Sequence, residues 1–157
     1  MTLAERLGEA LRGRRWTIST VESCTAGGLA YRLTEVPGAS AYFLGSVVAY
    51  DNRTKAEWVG VPERIFARHG AVSSEAASAM ARNGRARFHT DICLAITGIA
   101  GPGGGTTEKP IGTVFISASG RTETRTERFH FEGDRERVRQ SAIDAALKMA
   151  LALLADG

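Results

Sequence analysis

Three side chains between residues 23 and 55 have the types needed for nucleophilic catalysis: Ser23, Tyr50 and Lys55. Ser23 stands where a β-branched run, Trp16 to Val21, gives way to a helical segment from Ala26 to Val36. A serine between a strand and a helix lies at the carboxyl end of the strand, where open α/β sheets bind ligands. The helix N-terminus that follows offers backbone N–H donors suited to an oxyanion or a phosphate. Gly27 and Gly28 lack Cβ and let the helix pack close or a substrate approach. The competing reading makes Ser23 and Thr25 helix caps, a role both residue types favour.

A serine hydroxyl needs a base to act as a nucleophile. None of His69, His89 and His130 sits in a recognisable motif, and a Ser-His-Asp arrangement stays open on sequence alone. The other candidate base is Lys55, just past the predicted strand from Tyr42 to Tyr50. If that strand neighbours the one ending at Ser23, both segments leave the sheet on the same edge, and Ser-Lys pairs are a variant of triad chemistry. The lysine must be neutral to serve. Its ordinary pKa of about 10.4 falls to roughly 7–8 when burial or a nearby cation disfavours the ammonium. A solvated helix-start lysine is the competing reading for Lys55, and a strand-end core residue that for Tyr50.

A second cluster is built of glycine. Five glycines fall between Gly98 and Gly105, directly after the apolar run Ile92 to Thr97. Bare N–H groups in such a loop form anion nests. No G-K-[ST] follows, so the loop is not a P-loop, and no helix follows a GxGxxG. A functional loop is favoured over a plain linker, because long glycine loops inside compact domains are often functional. Arg135 and Arg139 lie one helical turn apart and face the same way. Guanidinium forks suit phosphate, and a solvated helix start is the alternative.

These residues need a scaffold. Leu3, Leu7, Ala10 and Leu11 recur at helical spacing over the first 15 residues. Asn52 is the expected cap of a short helix through Trp58, and another short helix can follow Pro62. Ser73 to Phe88 is an alanine-rich helix capped by Ser73 or Ser74. Thr113 to Ser119 and Thr122 to Phe131 alternate around Gly120 and predict a hairpin. Asp134 caps a last helix whose apolar face carries Val138, Ala142, Ala145, Met149 and Leu153. The order predicts a three-layer α/β/α sandwich over a mixed, mostly parallel five-stranded sheet.

Composition narrows the class. At 157 residues one domain spanning 1–157 is expected, long enough for a core without disulfides or a structural metal. Charged residues make up 24% and the net charge is +3, which excludes disorder. Bases and acids are interleaved: Arg121 to Arg139 holds six arginines and five acids. A solvated face therefore explains the basic balance better than nucleic acid does. Only three bases are lysines, which makes Lys55 stand out. Cys24 and Cys93 have no CxxC spacing and are expected to be free thiols in a reducing compartment. No apolar signal region occurs, and the longest uncharged run, 16 residues from Ile92 to Thr107, is broken by Gly and Pro. A cytoplasmic protein without membrane partners is expected, with a homodimer the favoured assembly on base rates.

Together, Glu22-Ser23-Cys24-Thr25-Ala26-Gly27, Tyr50-x-Asn52-x-x-Lys55 and Gly98-Ile99-Ala100-Gly101-Pro102 resemble the CinA C-terminal-domain family, the nicotinamide-mononucleotide deamidases (nicotinamide-nucleotide amidohydrolases). His69-Gly70-Ala71-Val72-Ser73, Glu108-Lys109-Pro110-x-Gly112-Thr113-Val114 and Gly133-Asp134-Arg135 match as well, in family order, from about Leu3 to Leu154. The resemblance implies hydrolysis of the carboxamide of nicotinamide mononucleotide to nicotinate mononucleotide and ammonia, without metal or cofactor. It implies Ser23 as nucleophile, Lys55 as its base and Tyr50 as their companion. Backbone amides near Cys24 and Thr25 would hold the oxyanion. Gly27, Thr97, Gly98, Ala100, Gly101, Gly104, Arg135 and Arg139 are the further expected substrate contacts. Ala26 and Gly103 depart from the family pattern, where glycine and an acidic residue are common; they bear on substrate affinity more than on chemistry. The competing function is a pyridine-nucleotide-binding or competence- and damage-associated regulatory module without turnover, though a pure binder needs no nucleophile–base pair.

Overall fold

The computed structural model describes all 157 residues. In chain order the elements are α1 (Leu3–Arg14), β1 (Ile18–Glu22), α2 (Gly28–Thr34), a 3-10 turn (Ala39–Ala41), β2 (Phe43–Val48), α3 (Asn52–Val59), α4 (Glu63–His69), α5 (Ser74–Phe88), β3 (Ile92–Gly98), β4 (Thr113–Ser119), β5 (Thr124–His130) and α6 (Arg135–Ala155). The five strands form one sheet in the order β2-β1-β3-β4-β5. β1 pairs in parallel with both β2 and β3, whereas β4 runs antiparallel to its neighbours β3 and β5. The mixed, mostly parallel sheet is therefore as expected. Its three parallel strands send their carboxyl ends to one edge, carrying the segments after Glu22, Val48 and Gly98 to the same place.

Burial on both faces explains the near-continuous apolar run of β3. In β3, Ile92, Leu94 and Ile96 join the large core under α1, α2 and α6, while Cys93 and Ala95 join the smaller core under α3 and α5. Small residues let α5 lie close to the sheet: a Cβ on Gly84 would meet Val21 Cγ2 at 2.5 Å and Cys93 Sγ at 2.7 Å. No helix is long and apolar enough to cross a membrane.

Several boundaries differ from expectation, each for a local reason. β1 starts at Ile18 because α1 closes at Arg15 in the left-handed region (φ 57°), with Trp16 N–H donating to Leu11 O. α2 starts at Gly28 rather than Ala26, since Ala26 (φ 50°) and Gly27 (φ 92°) both take left-handed turns. The cap of α3 is Asp51, whose carboxylate accepts from Arg53 N–H at 2.7 Å; Asn52 is the first helical residue instead. Ser73 caps α5 through Ala76 N–H, and Asp134 caps α6 through Arg137 N–H. β5 begins at Thr124, because Gly120 N–H closes a turn onto Glu123 O.

Candidate active site

Ser23 follows directly on β1 and stays strapped to the sheet: its N–H donates to Ile96 O at 2.9 Å, and Ala49 N–H donates to Glu22 O at 2.8 Å. The chain then turns sharply, with Ala26 N–H on Ser23 O and Gly28 N–H on Thr25 O. Neither Ser23 nor Thr25 caps α2. Gly27 holds the cap position without a side-chain bond, and the buried Glu22 carboxylate takes the N–H groups of Leu29 and Ala30, each at 2.9 Å. The N–H groups of Cys24 and Thr25 donate to no protein acceptor. Ser23 is 7% exposed and its hydroxyl has no protein partner, so it faces the adjoining cleft uncommitted.

Lys55 lies one turn into α3 and is 2% exposed. Its Nζ donates to the backbone carbonyl of Tyr50 at 3.0 Å and has no carboxylate partner. Burial pushes its pKa below the ordinary 10.5, against the attraction of Asp51 and Cys24. Burial also pushes the Cys24 thiol up to about 11. That thiol is uncharged near neutrality, which leaves Asp51 as the charge favouring the ammonium.

Tyr50 behaves differently from expectation. Its ring is 57% exposed, and its hydroxyl accepts from Arg135 Nη2 at 2.9 Å, not from Lys55. The link between Tyr50 and the lysine runs through the main chain.

The loop after β3 is pinned at its base by Ile99 N–H on Thr113 O and Gly112 N–H on Ile99 O. Gly101 (φ 87°) and Gly104 (φ 90°) take conformations that a side chain would strain. Arg135 Nη1 donates to Gly101 O at 2.7 Å and so ties the loop to α6. Thr97 Oγ1 donates to Ala71 O at 2.8 Å, and Lys109 Nζ to His69 O at 2.7 Å. The N–H groups of Ala100, Gly101, Gly103 and Gly104 have no protein acceptor.

These pieces enclose a cleft of ≈ 290 Å³. Ser23, Cys24, Tyr50, Lys55, Thr97, Gly98, Ala100, Gly101, Gly104 and Arg135, all singled out from sequence, line it together. Three other expected residues do not line it, although Thr25 keeps its N–H free. Thr25 turns its hydroxyl onto Glu22 Oε1 at 2.7 Å, Gly27 forms the bend, and Arg139 Nη2 reaches Thr25 O at 3.3 Å. Ile99 and Gly103 of the glycine loop also line the cleft, as do Asn52, Ala71 and Val72, which had no such role assigned from sequence. Ala71 and Val72 stand in a matched family segment, so that signal was present. A larger groove of ≈ 530 Å³ between β5 and α6, floored by Phe129, Phe131 and Met149, contains neither the serine nor Lys55.

Residues 1–154 match the family model of the CinA C-terminal domain. The chain belongs to the CinA C-terminal domain family. It is 45% identical over 152 residues to the nicotinamide-nucleotide amidohydrolase PncC of Pseudomonas putida, covering 97% of this chain and 95% of that one. A CinA-like protein of Geotalea daltonii is 50% identical over 131 residues, which are 83% of this chain and 32% of that protein. The chain thus spans about a third of the length of such CinA-like relatives. Among solved structures, a CinA-superfamily protein of Klebsiella pneumoniae superposes with a TM-score of 0.95 at 34% identity, covering 99% of this chain and 97% of that one. The α/β sandwich is thus the family's fold.

Proposed function

We propose that this CinA domain hydrolyses the carboxamide of nicotinamide mononucleotide by an acyl-enzyme route on Ser23. The observation that carries the reading is a buried Lys55 amine, bonded to a carbonyl but to no carboxylate, in the same cleft as an uncommitted serine hydroxyl. The near full-length similarity to a nicotinamide-nucleotide amidohydrolase supplies the substrate class.

Neutral Lys55 takes the proton of Ser23, and the alkoxide attacks the carboxamide carbon. The free N–H groups of Cys24 and Thr25 donate to the developing oxyanion, where preorganised donors are worth most. Collapse breaks the C–N bond, and the proton on Lys55 goes to the departing nitrogen, giving ammonia. Water then attacks the ester carbon with Lys55 again as base, releasing the carboxylate and restoring Ser23. Tyr50 serves through its carbonyl, which orients the amine; its hydroxyl, held by Arg135, stands at the cleft to meet substrate or leaving group. The open N–H groups of the glycine loop suit the phosphate.

Ammonia release from nicotinamide mononucleotide by the purified protein tests this directly. Ser23→Ala is expected to abolish release while the circular dichroism spectrum stays unchanged. Full activity in that variant overturns the mechanism. Nucleotide binding without any release, in the wild type, favours the regulatory-module reading instead.

A further inference from the structure

The nucleophile turn depends on a residue to which the chemistry above gives no part. Glu22 is fully buried, directly before Ser23, and both its oxygens are occupied. Oε1 accepts from Thr25 Oγ1 at 2.7 Å and from Leu29 N–H at 2.9 Å. Oε2 accepts from Ala30 N–H at 2.9 Å, with the hydroxyls of Thr20 (3.2 Å) and Ser46 (3.5 Å) beside it. Thr20 also lies 2.6 Å from Ser46 Oγ, so one of the two hydroxyl protons serves Oε2 while the other joins the pair. A carboxylate at a helix N-terminus satisfies orphan N–H donors and complements the helix dipole.

We propose that Glu22 is a positioning residue that holds the Ser23–Thr25 turn in its reactive shape. This rests on the reading of Ser23 as nucleophile. By taking over the cap of α2 from the strand end, Glu22 removes the demand that Ser23 or Thr25 would otherwise meet. It turns Thr25 from a cap into a donor that pins the turn. Arg139 and Gly28 N–H hold the carbonyl of Thr25 from the other side. Residue 25, whose N–H faces the developing oxyanion, is thereby clamped through both its side chain and its carbonyl. Reach matters as well as charge: aspartate is one methylene shorter and cannot keep Leu29 and Ala30 N–H at 2.9 Å while β1 stays in register.

The test compares Glu22→Asp, Thr25→Val and Thr25→Ser in the full chain. Ammonia release from nicotinamide mononucleotide and covalent labelling of Ser23 by a fluorophosphonate are read per folded molecule, with the folded fraction taken from thermal unfolding. Because small displacements of reacting groups cost about a hundred-fold in rate, Thr25→Val and Glu22→Asp are expected to lose at least about ten-fold in kcat, with KM changed less than about three-fold. Thr25→Ser, which keeps the hydroxyl donor, is expected to exceed Thr25→Val in kcat by at least about ten-fold, with labelling rates in the same order. If Glu22→Asp does not fold, the Thr25 pair decides alone. Wild-type kcat in Thr25→Val, equal losses in the Val and Ser variants, or an effect confined to KM overturns the positioning role by itself. A wild type that neither labels at Ser23 nor releases ammonia overturns the nucleophile reading, and this inference with it.

Discussion

Lys55 places an amine where the ammonium form is disfavoured, and two measurements follow from that one fact. Its pKa lies below 10.5 in the folded chain, because burial outweighs the attraction of Asp51. The basic form is the working one, so kcat/KM is expected to rise with pH through the folded-state value of Lys55 and then level off. Replacing it by Met removes general-base assistance, worth roughly a hundred- to ten-thousand-fold in kcat. Stability follows the same proton. Between the folded value and 10.5 the unfolded chain binds more protons than the folded one, so unfolding free energy rises with pH across that window. Denaturant titrations are expected to show this rise in the wild type and its loss in Lys55→Met. A flat pH–stability profile in the wild type contradicts the assignment.

At the scale of elements, the site exists because three parallel strands end together. Glu22 O takes Ala49 N–H and Ile96 O takes Ser23 N–H, so β2 and β3 lock the ends of β1 from both sides. That edge stays in register only while α5 lies close beneath it, and Gly84 sets the distance. A Cβ at 2.5 Å from Val21 Cγ2 forces the helix off β1, two residues from Ser23. Gly84→Ala is expected to lower stability by about 1–3 kcal/mol through overpacking, outweighing the gain of roughly 1 kcal/mol in helix propensity. Equilibrium urea unfolding measures it, and a stabilised variant would show that α5 shifts without strain. The positions of Ser23 and Lys55 just past two strand ends were legible from sequence, because flanking patterns are local. The roles of Glu22 and Arg139 were not, because their partners are set by how α2 and α6 dock. Arg139 lies one turn from Arg135, yet it reaches the carbonyl of Thr25 rather than the cleft lining.

The whole molecule carries +3 with its charges interleaved, and some arginines are already held in ion pairs. Arg32 pairs with Asp144, Arg121 with Asp91, and Arg125 with Glu123 and Asp156. A surface so arranged neutralises few phosphates. Binding to duplex DNA is expected to be weak, with a salt slope well below the roughly −0.9 per phosphate contact multiplied over a true DNA-binding face. A steep dependence in fluorescence titration would give the molecule a partner that its charge pattern does not suggest.

Sequence by itself determined the order of elements and the mixed sheet, and it put the serine, the lysine and the glycine loop beside the ends of strands. Periodicity, turn residues and motif spacing are properties of neighbours along the chain, so they can be read without folding it. Only the tertiary structure decided what each group touches. Tyr50 reaches Lys55 with its carbonyl and Arg135 with its hydroxyl, Thr25 serves Glu22 rather than capping a helix, and Arg139 reaches the carbonyl of Thr25. Hydrogen bonds are won or lost over tenths of an ångström, and those distances are fixed where packed layers meet, between residues as far apart as Thr25 and Arg139.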